Sequence, residues 1–72
     1  MTEITFELRP TDEYIELIKL LKLQQIAQSG AHAKIMVEDG VVKVNGKQEL
    51  RKRNKLKSGY VVEVENYRIT IV

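Results

Sequence analysis

The hydrophobic pattern changes along the chain from the spacing of strands to that of helices and back. Ile4–Leu8 alternates apolar and polar residues, which predicts a half-buried strand that Pro10 stops. Tyr60–Val64 and Tyr67–Val72 also predict strands, and the polar pair Glu65-Asn66 predicts the turn that joins them. We therefore expect extended segments at both ends of the chain and helices between them.

A first helix is predicted after Pro10. Thr11 is suited to cap its N-terminus, and Asp12 and Glu13 fall in its first turn, where the positive end of the helix dipole favours carboxylates. The helix is expected to run to about Leu23. Its broad apolar face, which we expect in the core, comprises Tyr14, Ile15, Leu17, Ile18, Leu20, Leu21 and Leu23.

A second helix is predicted between Ser29 and Gly40. Ser29 supplies a hydroxyl that can accept a hydrogen bond from a backbone N–H of the first turn, Gly30–His32. Gly40 is expected to end the helix, because glycine tolerates the positive φ found just beyond a helix C-terminus. The small and apolar residues of this segment allow it to lie close to a neighbouring helix.

The strongest local signal is a β-hairpin. Asn45-Gly46 separates Val41–Val44 from Lys47–Leu50, and this dipeptide favours a type I′ turn because both central residues need positive φ. The following stretch, Arg51–Lys55, contains four cations and no apolar residue, so it cannot be buried. We expect it to form an exposed basic loop.

Composition excludes several kinds of site and location. The 72 residues predict one domain over 1–72, and the absence of Cys excludes disulfides and thiolate metal sites. Charged residues interrupt the apolar-rich segment Tyr14–Leu23, and the start of the chain lacks the apolar region of a signal peptide, so we expect a cytoplasmic protein and no membrane span. We expect no metal and no cofactor.

Catalytic signatures are weak. His32 is the only side chain whose unperturbed pKa lies near neutrality, and we interpret it as a surface residue of the second helix rather than a base. The glycines punctuate turns and helix ends and form no phosphate-binding fingerprint. We therefore predict that the protein is not an enzyme.

Positive charge is concentrated between Ser29 and Lys57. This segment holds eight Lys or Arg and three Asp or Glu, whereas the rest of the chain holds four basic and seven acidic residues. A run of charge is often only a solvated face, but clustered cations on a compact fold also mark proteins that bind a phosphate backbone. Phe6 and Tyr14 are expected in the core, so the region lacks stacking groups, and structured RNA is favoured over single-stranded bases.

The motifs of this region resemble a known family. Ser29-Gly30-Ala31-His32-Ala33-Lys34, the hairpin with Asn45-Gly46, and Glu49-Leu50-Arg51-Lys52-Arg53 together are similar to the S4-type RNA-binding domain, or αL motif, and in particular to its small free-standing bacterial members, the YbcJ-like proteins. The resemblance implies an α+β fold in which two short helices pack on a small, mostly antiparallel sheet of about four to five strands. It also implies that RNA lies against the second helix and the basic loop.

Our hypothesis is non-catalytic binding of structured RNA, such as rRNA or tRNA, by a monomer. The alternative is a protein-interaction or assembly module whose basic face meets an acidic partner, for example a ribosome-associated protein. We expect the helix start, the hairpin and the basic loop to line one cationic surface. The predicted contacts are Ser29, Gly30, His32, Lys34, Lys43, Lys47, Arg51, Lys52, Arg53 and Lys55.

Overall fold

The computed structural model describes all 72 residues and contains seven strands and two helices. In chain order these are β1 (Thr2–Phe6), β2 (Ile15–Glu16), α1 (Leu17–Leu23), α2 (Gly30–Glu38), β3 (Val42–Val44), β4 (Lys47–Gln48), β5 (Lys55–Leu56), β6 (Val61–Val64) and β7 (Tyr67–Ile71). Neither helix has the length and apolar character needed to cross a lipid bilayer.

Five strands form a mixed sheet in the order β1-β7-β6-β3-β4, in which β1 is parallel to β7 and the other pairs are antiparallel. A separate ladder joins β2 to β5. Two helices on a mostly antiparallel sheet confirm the α+β class that the resemblance implied. The parallel pairing is possible because most of the chain lies between β1 and β7, so no tight turn forces them to be antiparallel.

The core lies between the helices and one face of the sheet. Alternate residues of the central strands are buried on that face, as expected for a sheet whose other face is exposed to solvent. The strand residues are Val42, Val44, Val62, Val64, Ile69 and Ile71, and the helix residues are Leu17, Leu20, Leu21, Ala33, Met36 and Val37. No polar side chain is buried, so the fold is held by apolar packing.

The prediction for the start of the first helix is wrong. Ile15 and Glu16 are extended and pair with Leu56 and Lys55, so α1 begins at Leu17 rather than after Thr11. The helix also has no side-chain cap. The reason is tertiary: β5, from far along the chain, satisfies the backbone of this segment in place of a helical turn.

The predictions for the second helix and the hairpin are confirmed. Ser29 is the N-cap of α2, and Gly40 follows its C-cap with φ +78°. Asn45 and Gly46 have φ values of +53° and +83°, as a type I′ turn requires. These elements depend on contacts between close neighbours in sequence, which the residue pattern describes directly.

Candidate nucleic-acid interface

The start of α2 is fixed by two hydrogen bonds that both involve His32. The His32 backbone N–H donates to Ser29 Oγ at 3.1 Å, and the Gln28 N–H donates to His32 Nδ1 at 3.0 Å. His32 therefore has a role similar to that of Glu or Gln in a capping box, except that its side chain accepts from the residue before the N-cap. Because Nδ1 is an acceptor, the neutral ring carries its proton on Nε2, which is left as a donor.

The first turn of α2 also presents backbone donors. The N–H groups of Gly30 and Ala31 have no intrahelical acceptor, as at every helix start, and they lie at the positive end of the helix dipole. Lys34, in the next turn, is exposed. The arrangement is chemically suited to an anion such as a phosphate group.

Glu49 organises the loop between β4 and β5. This loop comprises residues 49–54, because Lys55 of the predicted basic loop belongs to β5, and from here on we call residues 49–54 the basic loop. The Glu49 carboxylate accepts hydrogen bonds from the Arg51 backbone N–H at 3.0 Å, from Arg51 Nε at 2.9 Å and from Asn54 Nδ2 at 2.9 Å. The Glu49 side chain is only 12% exposed. The hydrogen bonds from Arg51 lower the pKa of Glu49 below its ordinary value, so the anionic form is favoured. Sequence reasoning missed this role.

The basic loop also caps α1. The Leu17 N–H donates to the Asn54 carbonyl at 3.0 Å, and the Ile18 N–H donates to the Lys52 carbonyl at 3.1 Å. Two backbone carbonyls thus satisfy donors that a side-chain cap would otherwise bind. The loop is therefore held at both ends, by Glu49 and by the first turn of α1.

The three cations of the basic loop are not equivalent. Arg51 is bound to Glu49, and Lys52 is half-buried, whereas Arg53 is exposed and forms no salt bridge. Arg51, Arg53 and Asn54 line a cleft of about 360 Å³ together with Lys55 of β5. Of the three loop cations, Arg53 is thus the one that is both exposed and without a salt bridge.

The hairpin places its two lysines on opposite faces of the sheet. Lys43 lies between the buried Val42 and Val44, so it points away from the helices, and its neighbour across the ladder is Glu63. Lys47 is paired with Val44 and shares its face, the helix side. Lys43 and Lys47 therefore do not share one face of the sheet, whereas the prediction placed both on a single surface.

The start of α2 and the basic loop lie at opposite ends of α1. The loop contacts the N-terminal turn of α1, whereas the Ile26 and Ala27 N–H groups bind the Leu21 carbonyl near its C-terminus, three residues before Gly30. The seven residues of α1 correspond to about 10 Å of helix. These two groups of predicted contacts would therefore bind separate phosphates. That they face one side of the molecule stays a prediction.

Two residues of the predicted core are exposed, Tyr14 at 40% and Leu23 at 54%. Lys55 Nζ lies 5.1 Å from the centre of the Tyr14 ring. The extended segment before α1, which replaces the predicted helical turn, brings Tyr14 next to β5. The cationic region thus has an exposed aromatic neighbour, which the helical reading of this segment had hidden.

The structure has no group of three or more His, Cys, Asp or Glu side chains that could hold a metal ion. The polar groups of the candidate interface are helix N–H donors and cations, which suit anions. They belong to the motifs of the S4-like resemblance described above: the capped start of α2, the I′ hairpin and the basic loop.

A sequence model of the S4 domain matches residues 6–72. The chain belongs to the S4 domain family. This S4 domain is 42% identical over 59 residues to a protein of Escherichia coli (strain K12) named "Putative RNA-binding protein YbcJ", covering 82% of this chain and 84% of the relative. The same values hold for "Uncharacterized protein YbcJ" of Shigella flexneri.

A solved structure supports the same assignment. The solution structure of YbcJ from E. coli, described as revealing an αL motif involved in RNA-binding, matches this S4 domain with a TM-score of 0.71 and 41% identity. The match covers 94% of this chain and 85% of that one. The family and the fold that the sequence motifs implied are therefore confirmed, while the roles of individual residues stay predictions.

Proposed function

We propose that this S4 domain is a non-catalytic module that binds structured RNA, such as rRNA or tRNA, through the helix side of the molecule. Two observations support the proposal: the free N–H donors of Gly30 and Ala31 have the exposed Lys34 in the next turn, and a separate cleft is lined by the exposed cations Arg53 and Lys55. The names of the similar E. coli protein and of its solution structure agree with this proposal.

Binding would depend mainly on the phosphate backbone. Lys and Arg that neutralise phosphates release condensed counterions, so affinity falls as salt rises. Ser29 and His32 hold the start of α2 open to a phosphate, and His32 Nε2–H adds a donor beside it. Lys47, Arg51 and Lys52 contribute charge around the basic loop, although Glu49 offsets that of Arg51.

We leave Lys43 out of the proposed surface. It lies on the outer face of the sheet, where Glu63 and Arg68 are its successive neighbours across the ladders. Arg68 in turn forms salt bridges with Glu3 and Glu63, at 3.2 and 3.7 Å. This alternation of charges is nearly neutral and is a poor phosphate site, so the outer face supplies a matched control.

Two double variants that each remove two positive charges test the proposal. One is Lys34→Ala with Arg53→Ala on the helix side, and the other is Lys43→Ala with Arg68→Ala on the outer face. Binding of a fluorescent RNA stem-loop is titrated at several salt concentrations, and circular dichroism checks that each variant is folded. The helix-side variant should reduce the slope of log affinity against log salt by about 1.4 to 1.8, since each lost phosphate contact contributes about 0.7 to 0.9.

The outer-face variant should keep the slope of the parent protein. Equal slopes for the two variants would refute the proposed surface, because only net charge would then matter. Capture of partners from a lysate with and without ribonuclease tests the alternative: protein partners that survive digestion would favour an assembly module. Crosslinking in cells, followed by sequencing of the attached RNA, identifies the RNA bound.

A further inference from the structure

A second cavity lies beside the cationic cleft and is unexplained by phosphate binding. It is a groove of about 710 Å³ between the segment that precedes α1 and α1 itself. Its apolar wall is formed by Leu8, Tyr14, Ile15 and Leu23. Small-molecule sites have volumes of this order, so the groove has room for a ring system the size of a nucleobase.

The groove and the cleft adjoin through one contact. Tyr14 lines the groove, Lys55 lines the cleft, and Lys55 Nζ lies 5.1 Å from the centre of the Tyr14 ring. A ligand with a phosphate in the cleft therefore has its next group within reach of the ring. In a nucleic acid, that group is a sugar and a base.

We propose that the groove receives one unpaired nucleobase of the bound RNA, stacked on Tyr14, while the adjacent phosphates lie on Arg53 and Lys55. The inference rests on the proposed RNA binding and names the part of the RNA that the groove selects. Unpaired bases in loops and bulges are commonly recognised by stacking on exposed aromatic side chains. A fully paired helix offers no such base.

The rim of the groove carries three carboxylates, of Asp12, Glu13 and Glu16, and two cations, of Arg9 and Lys19, so it is weakly acidic and favours particular bases. Glu13 and Glu16 line it, and their carboxylates form no hydrogen bond or salt bridge within the protein, whereas Asp12 is bound to Arg9 at 2.9 Å. Free carboxylates accept hydrogen bonds from amino groups, for example N4 of cytosine. The groove therefore suits a base that carries an amino group, and uracil carries none.

Two variants of Tyr14, one with and one without an aromatic ring, test whether a base stacks on this residue. Tyr14→Phe keeps the aromatic face, and Tyr14→Leu keeps apolar bulk without it, so both should fold. Each is titrated with three RNA probes: a stem-loop with a cytidine loop, the same stem with a uridine loop, and a fully paired duplex of equal length. Circular dichroism melting verifies folding before each titration.

Tyr14→Leu should weaken binding of the cytidine stem-loop about 5- to 30-fold, which is the lower part of the range for losing one stacked base. Tyr14→Phe should bind within about twofold of the parent protein, and neither variant should change duplex binding. The parent protein should bind the cytidine loop more tightly than the uridine loop.

The possible failures are distinct. A parent protein that binds none of the three probes overturns the proposed RNA binding itself. A parent protein that binds, with Tyr14→Leu equal to it on the cytidine stem-loop, overturns only the stacked base. If Tyr14→Leu weakens binding of the stem-loop and of the duplex equally, the stacked base is also overturned, because Tyr14 would then act by positioning Lys55 for phosphates. Equal binding of the two loops overturns the role of the acidic rim.

Discussion

The substitution Glu49→Gln tests how the basic loop is held. Glu49 is 12% exposed, and its carboxylate joins Arg51 to Asn54 through the hydrogen bonds described above. Glutamine has nearly the same shape, but it has one acceptor oxygen where the carboxylate has two, and its amide nitrogen would face a donor. The variant therefore removes hydrogen bonds while leaving the packing in place.

The expected loss of stability comes from the less exposed contacts. The Arg51 side chain is 77% exposed, so water screens its ion pair with Glu49 and we count nothing for it. Of the bonds from the Arg51 backbone N–H and from the Asn54 amide, the single glutamine oxygen can keep only one. The loss of the other, with its donor left facing the glutamine NH2, costs about 1 to 2 kcal/mol. For a domain of this size, that loss lowers Tm by about 4 to 15 °C.

Thermal unfolding followed by circular dichroism measures this difference, and its pH dependence identifies the charge as the cause. The pKa of Glu49 is lowered in the folded protein from its ordinary value of 4.5. A lowered folded-state pKa stabilises the fold above the ordinary value, and this stabilisation is lost as the pH falls through the lowered pKa. The difference in Tm between the parent protein and Glu49→Gln should therefore be largest near pH 7 and should disappear at acidic pH.

Glu7→Gln is the matched control, because Glu7 is exposed and forms no hydrogen bond or salt bridge. It should leave Tm at pH 7 nearly unchanged. Our account of the basic loop would be refuted if Glu49→Gln had the same Tm as the parent protein at pH 7, or if the difference in Tm kept its size at a pH where the Glu49 carboxyl group of the parent protein is protonated.

The turns allow two further matched comparisons by thermal unfolding. Asn45 Oδ1 accepts the Val61 N–H at 2.9 Å, so Asn45→Gly, which keeps positive φ but loses the acceptor, should cost about 1 kcal/mol. Asn45→Asp should cost less, and equal losses would exclude this hydrogen bond as the cause. Gly40→Ala should cost about 1 to 2 kcal/mol, because φ is +78° and the new Cβ would displace the Gln48 amide. At Gly30, which is helical, a new Cβ would lie in open space, so Gly30→Ala should be neutral or stabilising by up to about 1 kcal/mol. A loss of stability as large as that of Gly40→Ala would contradict the argument.

Several elements could be predicted from neighbouring residues alone. Ser29 and Gly40 bound α2, and Asn45-Gly46 closes the hairpin, because a cap or a tight turn is decided by hydrogen bonds and φ values within a few residues. The family motif is visible for the same reason. The concentration of cations between Ser29 and Lys57 is likewise a property of the chain itself.

The start of α1 required the tertiary structure. Thr11 has the hydroxyl of an N-cap residue, but Ile15 and Glu16 form a strand because Leu56 and Lys55 pair with them. The same pairing leaves Tyr14 exposed beside Lys55 instead of in the core. Local propensity contributes tenths of a kcal/mol per residue, so a long-range ladder easily overrides it.

The distribution of charge over the surface was also a tertiary result. A run of cations does not show that Glu49 binds Arg51, or that the pleat directs Lys43 and Lys47 to opposite faces. The amino-acid sequence by itself determines which charged groups the protein has and where the chain turns. Which of those charges remain free, and on which side, depends on partners brought together by folding, because pairing and burial are properties of three-dimensional neighbours.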